Sequence, residues 1–284
     1  MLGYYYLNIS IARKLQTNII IYPNLATKNM QSPLYSPPIY LTQTDSTNRE
    51  LWRMLDAGQE LQEGFSIWAG VQTAGKGQGN ASWHGEANKN LSLSLLLKPH
   101  FLPPGKQFSL NKCIALAIRA TLAELSSGPV FSIKWPNDIY CKDKKVAGTL
   151  IENRIQGHLF ETSIAGIGIN INQTDFPASI PNPGSLKILT GKSHDLKNCL
   201  EALLEKIHQY YDVLKNGKES ILNQEYLDNL MGYQQQLLFR KEDIIFRAMI
   251  TGVSEYGKLI LKDGQGRLSE YGMKEVAFVL NDQA

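Results

Sequence analysis

The sequence predicts an α+β protein with a mixed, largely antiparallel sheet, flanking helices and a small all-β domain at the C-terminus. Three strand-like runs follow one another at residues 130–135, 145–155 and 158–170 without a helical segment between them, and Gln156-Gly157 predicts a hairpin turn between the last two. Strands joined by short turns pair antiparallel. After Tyr233 the pattern changes to short strands separated by tight turns.

The first part of the predicted sheet includes one short helix. A strand over residues 39–43 leads into Asp45-Ser46-Thr47-Asn48, four residues of types that favour helix N-caps. A helix over residues 49–55 follows and ends at Gly58. A buried strand at residues 65–71 continues the sheet.

Two further patterns complete the main domain. The alternation of leucine and serine over residues 91–95 predicts a half-buried strand. Residues 108–125 and 195–214 carry apolar side chains at helical spacing and predict the two longest helices. Between the strands at 65–71 and 91–95, the glycines of residues 75–80 predict a loop whose backbone a ligand can approach closely.

These patterns divide the 284 residues into three parts. Residues 1–38 form a proline-interrupted N-terminal extension, residues 39–232 the main domain, and residues 233–284 the C-terminal β domain. The sequence assigns no role to residues 1–29, and a translation start at Met30 would leave every motif described below intact.

Composition and charge exclude several classes of protein. With 43% hydrophobic and 19% charged residues, the chain has the composition of a globular protein. The 29 Lys and Arg against 26 Asp and Glu give a net charge of +3, too small to indicate nucleic acid or an anionic membrane as the main partner. Three unclustered cysteines and the lack of an export signal predict a cytoplasmic protein.

The glycine loop taken alone is ambiguous. Residues 70–76 match the G-x-x-x-x-G-K pattern, but Gly77 stands where a phosphate-binding P-loop needs the hydroxyl of Ser or Thr. A dinucleotide-binding fingerprint lacks its third glycine. An exposed hairpin loop without a ligand therefore remains an alternative for this segment.

Other segments give the loop a context. Lys134-Trp-Pro-Asn-Asp138 is unusual inside a sheet because Pro136 removes a backbone donor. Four other segments accompany this block: residues 45–48, residues 72–78, Lys145-Val-Ala-Gly148 and Gly166-Ile-Gly-Ile-Asn170. In this order and spacing, the five segments closely resemble the biotin protein ligase family. The resemblance covers residues 39–280.

This resemblance implies a class II synthetase-like catalytic domain followed by an SH3-like β-barrel. It implies an ATP-dependent ligase that makes biotinyl-5′-AMP and transfers biotin to a lysine of a biotin carrier domain of a carboxylase, with Mg²⁺ neutralising the departing pyrophosphate. A lipoate or octanoyl ligase and a non-catalytic biotin-binding paralogue are the alternatives.

The resemblance also assigns roles to individual residues. Lys145 is the expected catalytic residue, placed between the biotin carboxylate and the α-phosphate, and Asp138 is the expected supporting residue, which orients biotin or helps to accept a proton. No protein side chain is assigned as a metal ligand. The expected biotin-binding residues are Ser46, Thr47, Asn48, Gln72, Lys76, Gly77, Gln78 and Lys145, and the expected nucleotide-binding residues are Lys134, Asn137, Asn170 and Trp83. From the residues alone, Ser46 and Thr47 are equally explained as helix caps, and Lys145 as a surface lysine.

Two departures from the family pattern affect these expectations. The family's loop often reads Gly-Arg-Gly-Arg, whereas Lys76 and Gln78 occupy the basic positions here. Residues 1–38 are too short and too proline-interrupted for the winged-helix domain of some members, so we expect no DNA partner. We also expect residues 72–90 to order when ligand binds. The oligomeric state is open, with a homodimer as one possibility.

Overall fold

The computed structural model describes residues 19–21, 37–79 and 81–279. Within them the main sheet consists of β1 (Ile19–Ile21), β2 (Ile39–Thr44), β3 (Ser66–Gln72), β4 (Leu91–Leu97), β5 (Phe131–Lys134), β6 (Asp138–Cys141), β7 (Lys144–Gln156) and β8 (Leu159–Ile169). Their order is β1-β2-β3-β4-β8-β7-β6-β5. Only β2 and β3 are parallel among these pairs. The predicted mixed, largely antiparallel sheet is confirmed.

Helices flank this sheet. They are α1 (Thr47–Asp56), α2 (Phe108–Leu125), α3 (Leu186–Thr190), α4 (Leu196–Lys215) and α5 (Glu219–Asp228), and a 3₁₀ turn spans Pro104–Lys106. The two long predicted helices are confirmed as α2 and α4. Asp195 caps α4 by accepting hydrogen bonds from the backbone N–H groups of Lys197 and Asn198. None of the helices in the described parts of the chain is long and apolar enough to cross a membrane.

A second sheet of five strands follows. It consists of β9 (Gln236–Lys241), β10 (Ile244–Val253), β11 (Leu259–Asp263), β12 (Leu268–Tyr271) and β13 (Ala277–Phe278), in the order β12-β11-β10-β9-β13 and antiparallel throughout. The rings of Phe246 and Phe278 pack on Phe239. The small all-β domain is thus confirmed. Leu280, the predicted end of its last strand, lies outside the described residues.

The prediction that β4 is half-buried is wrong. All seven of its residues are buried, the serines included. The leucines pack with α2 in the core, and the Ser94 hydroxyl donates to Thr47 and Asn48 at the start of α1. Both faces of this central strand are therefore covered, and Ser94 serves as a hydrogen-bonding group beneath a helix end.

Residues 134–138 form a hairpin. β5 ends at Lys134, and Asp138 begins β6, which runs back along β5 with Lys134 opposite Asp138. Residues 135–137 form the turn. Two charged residues of the family-like motif are consequently brought opposite each other where the two strands meet the turn.

The predicted N-terminal extension contributes backbone pairing to the sheet. Residues Ile19–Ile21 pair antiparallel with β2, with Ile20 opposite Tyr40. A chain that started at Met30 would lack this edge strand. The division at residues 38 and 232 stays a prediction.

Candidate functional site

A cleft of about 240 Å³ opens above the centre of the main sheet. Its floor includes glycines on adjacent strands, because Gly148 of β7 lies opposite Gly168 of β8, and Gly166 lies two residues before Gly168 on the same strand. Most of the predicted site residues line this cleft: Ser46, Thr47, Asn48, Gln72, Lys76, Gly77, Gln78, Trp83, Asn137, Asp138 and Lys145.

One end of the cleft is polar and uncharged. The Gln72 side-chain oxygen accepts hydrogen bonds from the backbone nitrogen of Thr47 at 2.8 Å and from its hydroxyl at 3.1 Å. Ser46 occupies the N-cap position of α1, but its side chain makes no capping hydrogen bond. Gln72 therefore satisfies the helix start from a neighbouring strand. The Ser46 hydroxyl is not used for capping, and the helix-cap explanation of Ser46 is wrong.

Asn48 holds α1 against the sheet. Its amide nitrogen donates to the Glu152 carboxylate at 2.7 Å and to the Leu150 carbonyl at 3.3 Å, and its amide oxygen accepts from Ser94. The amide lies so close to Gly166 that a Cβ atom at position 166 would collide with it. Ser94 and Glu152 were missed by sequence reasoning, although the alternating serines of β4 were a usable signal.

The glycine loop folds back over the floor of the cleft. Its two sides are joined by hydrogen bonds from Gly77 N to Ala81 O at 2.8 Å and from Trp83 N to Gly75 O at 2.9 Å. The indole of Trp83 packs on the backbone of Gly168, where a Cβ atom would overlap the ring. Trp83 is thus a wall of the cleft, and the glycine of β8 makes room for it.

The other end of the cleft is charged. Lys145 Nζ forms an ion pair with Asp138 Oδ2 at 2.7 Å, and both side chains are partly exposed to the cleft. The backbone of Lys145 is held by hydrogen bonds with Asn182 and Gly184, each 2.8 Å long. The surface-lysine explanation of Lys145 is wrong, because this side chain lines the cavity and is paired within it.

Lys134 does not line the cleft. Its ammonium lies 4.9 Å from the ring centroid of Tyr140 and 5.5 Å from that of Phe278, a residue of the C-terminal sheet. Burial lowers the pKa of Lys134, the Asp138 carboxylate opposes that shift, and the Lys145 ammonium adds to it. Lys134 therefore contributes positive potential close to the Lys145–Asp138 pair without lining the cleft itself.

The two asparagines predicted to contact nucleotide differ in position. Asn137 lines the cleft and donates to the Thr149 carbonyl at 2.5 Å. Asn170 is only 5% exposed and lies outside the cleft lining. Its amide nitrogen donates to the Gly184 carbonyl at 2.9 Å, so it supports the segment that holds Lys145.

The tip of the β5–β6 hairpin is supported by α5. The hydroxyl of Tyr226, a residue whose side chain is wholly buried, donates to the Pro136 carbonyl at 2.8 Å. Sequence reasoning missed Tyr226 because α5 itself was not predicted. Among the described residues, no group of three or more His, Cys, Asp or Glu side chains could hold a metal ion.

The fold and this cleft define a member of the Biotin/lipoate A/B protein ligase family, whose model matches residues 40–170. The bifunctional ligase/repressor BirA of Bacillus subtilis (strain 168) is 30% identical over 234 residues, which cover 80% of this chain and 68% of that protein. The biotin--[acetyl-CoA-carboxylase] ligase of Paracoccus denitrificans is 28% identical over 236 residues, 80% of this chain and 95% of that protein. The chain belongs to the biotin protein ligase family.

Solved structures agree with this assignment. The biotin protein ligase from Aquifex aeolicus in complex with biotin and ATP superposes with a TM-score of 0.71 and 26% identity, covering 85% of this chain and 98% of that one. The family-level resemblance drawn from the motifs is confirmed.

Proposed function

We propose that this chain is an ATP-dependent biotin ligase that activates biotin as biotinyl-5′-AMP and transfers the biotinyl group to one lysine of the biotin carrier domain of a carboxylase. One observation carries the proposal: a single cleft joins the uncharged polar end at Thr47 and Gln72 to the ion pair of Lys145 and Asp138. Biotin has the matching chemistry, with an uncharged ureido head at one end and a carboxylate at the other.

The polar end suits the ureido head. The Gln72 amide nitrogen can donate to the ureido oxygen and the Ser46 hydroxyl can accept from a ureido N–H, since neither group is used to cap α1. We place the bicyclic ring beside the Trp83 indole, which itself packs on Gly168, as the Asn48 amide packs on Gly166. Lys76 and Gly77 of the glycine loop also line the cleft. We assign them the role of contacting the valerate chain of biotin.

In the first half-reaction a carboxylate oxygen of biotin attacks the α-phosphorus of ATP. A bond forms between this carboxylate oxygen and the α-phosphorus. The bond between the α-phosphorus and the oxygen that bridges it to the β-phosphorus breaks, and pyrophosphate leaves with the electron pair. Both reactants are anions, so a fixed cation lowers the barrier most where their charges meet. We assign this role to Lys145, which Asp138 orients, and we assign Asn137 to the nucleotide.

In the second half-reaction the ε-amine of the carrier lysine attacks the carbonyl carbon of the mixed anhydride. The carbon–nitrogen bond of the amide forms and the bond to the AMP oxygen breaks. The amine loses one proton, and we assign Asp138 as its acceptor because it is the carboxylate that lines the cleft in the described structure.

Magnesium fits this cleft only as an ion held chiefly by the nucleotide. Mg²⁺ at such sites binds one or two carboxylates together with substrate phosphates, and Asp138 is the carboxylate available among the described lining residues. The ion would offset the negative charge of the departing pyrophosphate.

The carrier and the setting are also part of the proposal. The Paracoccus denitrificans relative is named a biotin--[acetyl-CoA-carboxylase] ligase, which supports a carboxylase as the partner. The three cysteines are buried free thiols, as suits the cytoplasm. We propose no DNA partner and no membrane partner, and a gel shift with an operator-like duplex at moderate salt would contradict the first of these. Sedimentation with and without biotin and ATP would show whether the chain forms a homodimer.

The deciding experiment has two steps. Exchange of labelled pyrophosphate into ATP is measured with biotin, with lipoate and with neither, and we expect exchange with biotin alone. Biotin, ATP and Mg²⁺ are then added with a biotin carrier domain, and the mass of the carrier is expected to rise by one biotinyl group at its target lysine. Lipoate-dependent exchange would indicate the lipoate ligase, and binding of biotin without exchange the non-catalytic paralogue.

A further inference from the structure

A tight turn of the C-terminal domain contacts the glycine loop. The turn spans Gly272 to Glu275, and it closes through a hydrogen bond from Glu275 N to Gly272 O at 3.2 Å. The Glu275 carboxylate accepts from Gly272 N at 2.7 Å. Lys274, the third residue of this turn, has a φ of 71°. Non-glycine residues rarely occupy this left-handed region, and those that do often lie at functional sites.

The side chain of Lys274 reaches the glycine loop. Its Cε and Nζ atoms lie against Gly79, so close that a Cβ atom at position 79 would collide with the ammonium. Next to this contact, the Gln78 amide nitrogen donates to the Met273 sulfur at 2.8 Å. Two neighbouring contacts therefore place the Lys274 ammonium at the rim of the cleft, because Gln78 is itself a lining residue.

The charged residues of the cleft offset only part of the negative charge that the proposed substrates would bring. Its charged lining residues in the described structure are Lys76, Lys145 and Asp138, two cations against one anion, and Lys145 is paired with Asp138. The proposed substrates bring a carboxylate and a triphosphate to this site. Lys274 forms no ion pair with any described residue, in contrast to Lys106, which pairs with Glu219 at 2.7 Å. An unpaired ammonium beside a glycine-rich loop is suited to a phosphate group.

We propose that Lys274 is a substrate-binding residue, supplied by the C-terminal domain, that contacts the phosphates of the nucleotide at the rim formed by Gln78 and Gly79. The inference rests on the proposed function and adds to it a cation that the five sequence motifs do not contain. It also gives the C-terminal turn a role. The turn positions the Lys274 ammonium beside Gly79, and its Met273 sulfur accepts a hydrogen bond from Gln78 that holds the glycine loop in place.

The test compares Lys274→Met, which removes the charge and keeps the length, with Lys274→Arg, which restores the charge. Lys142→Met is the matched control, because Lys142 also has a positive φ, 54°, in an exposed turn and does not line the cleft. In biotin-dependent pyrophosphate exchange we expect Lys274→Met to raise the KM for ATP about tenfold, the effect of losing one charged contact. The KM for biotin should stay within about twofold, Lys274→Arg should recover most of the loss, and Lys142→Met should match the parent chain.

Calorimetric titration of MgATP separates this inference from the proposed function. If the parent chain shows no biotin-dependent exchange, the proposed function fails, and the dissociation constant for MgATP still tests Lys274. A weaker MgATP affinity in Lys274→Met, with an unchanged melting temperature, supports the inference. An equal affinity in Lys274→Met and the parent chain, or no MgATP binding by the parent chain, overturns it.

Discussion

The indole nitrogen of Trp135 donates a hydrogen bond of 2.9 Å to the carbonyl oxygen of Gly257, 122 residues later in the chain. Trp135 lies in the turn of residues 135–137, which leads into Asp138. Gly257 lies in the loop that joins β10 and β11 of the C-terminal sheet. Gly257 also packs against the ring of Phe108. A loop of the C-terminal domain thus supports the hairpin turn that carries two residues of the cleft.

Gly257→Ala should destabilise the protein through this contact. Gly257 has a φ of 83°, and a Cβ atom there would overlap the Phe108 ring. Backbone strain and overlap of this kind cost about 1 to 3 kcal/mol. The free energy of unfolding in urea measures the loss. Gly264→Ala is the control, because no atom lies within 4 Å of the added methyl and its φ is not positive, so its change should stay within about 0.5 kcal/mol. Equal stabilities of the two variants would show that Gly257 is not tightly packed.

Lys145→Ala should abolish adenylate formation while the fold persists. The ammonium is the cation of the Lys145–Asp138 pair at 2.7 Å, and both side chains are accessible enough for water to solvate Asp138 after the change. Loss of one group that stabilises transition-state charge lowers kcat by about 10²- to 10³-fold. Pyrophosphate exchange measures the rate, and circular dichroism measures the fold. Lys144→Ala, at the neighbouring exposed lysine, should retain activity. Unchanged turnover in Lys145→Ala would remove this lysine from the mechanism.

Gly168→Ala should weaken biotin binding. The added methyl would overlap the Trp83 indole and push it off the floor of the cleft. We expect at least a tenfold increase in the dissociation constant for biotin, or about 1.4 kcal/mol, by isothermal titration calorimetry. In Gly252→Ala the methyl meets a single atom of Ile260 at an ordinary 3.7 Å, so this variant should bind like the parent chain. The assignment of the biotin ring to the space beside the Trp83 indole fails if both variants bind equally.

The comparison of sequence and structure shows which information is local. Residues 108–125 were predicted to the residue as α2 because apolar side chains recur at helical spacing along the segment and Gly128-Pro129 follows it. The positions of Lys134 and Asn170 could not be predicted, because they depend on Phe278 and Gly184, which lie 144 and 14 residues away in sequence. A motif identifies which residues belong to a site, but it does not separate those that line the cavity from those that support it.

The glycine loop should become resistant to proteolysis when ligand binds. In the described structure three backbone hydrogen bonds close residues 75–83, Gln78 donates to Met273, and Lys274 lies against Gly79. Ligand contacts would add to them and lower the population of the open loop. Limited proteolysis, with cleavage within residues 72–90 mapped by mass spectrometry, measures the effect. We expect protection by biotin plus ATP and less protection by either alone. Equal cleavage under all conditions would argue against ordering of this loop.

Asp45→Asn should lower stability in a pH-dependent manner. Burial acts to raise the pKa of Asp45, but the hydrogen bond from Ser46 N at 2.7 Å and the guanidinium groups of Arg53 and Arg49 outweigh it, so the pKa is below its ordinary value of 3.8. A carboxyl with a depressed folded-state pKa stabilises the folded state above its unfolded pKa, and this contribution disappears as the pH falls through the folded pKa.

The side chain of Asp45 is about a third exposed, so screening limits the contribution at pH 7 to about 1 kcal/mol. Urea unfolding at pH 7 should therefore show Asp45→Asn less stable than the parent chain, and the difference should shrink steadily between pH 4 and pH 2. Asp143→Asn, in an exposed turn, should differ little from the parent chain across this range, because its pair with Lys144 spans 3.6 Å between two exposed side chains. The opposite result would be a loss of unfolding free energy in Asp45→Asn that is the same at pH 7 and pH 2. The loss would then arise from packing at the start of α1 and not from the charge of Asp45, which holds Ser46 beside the cleft.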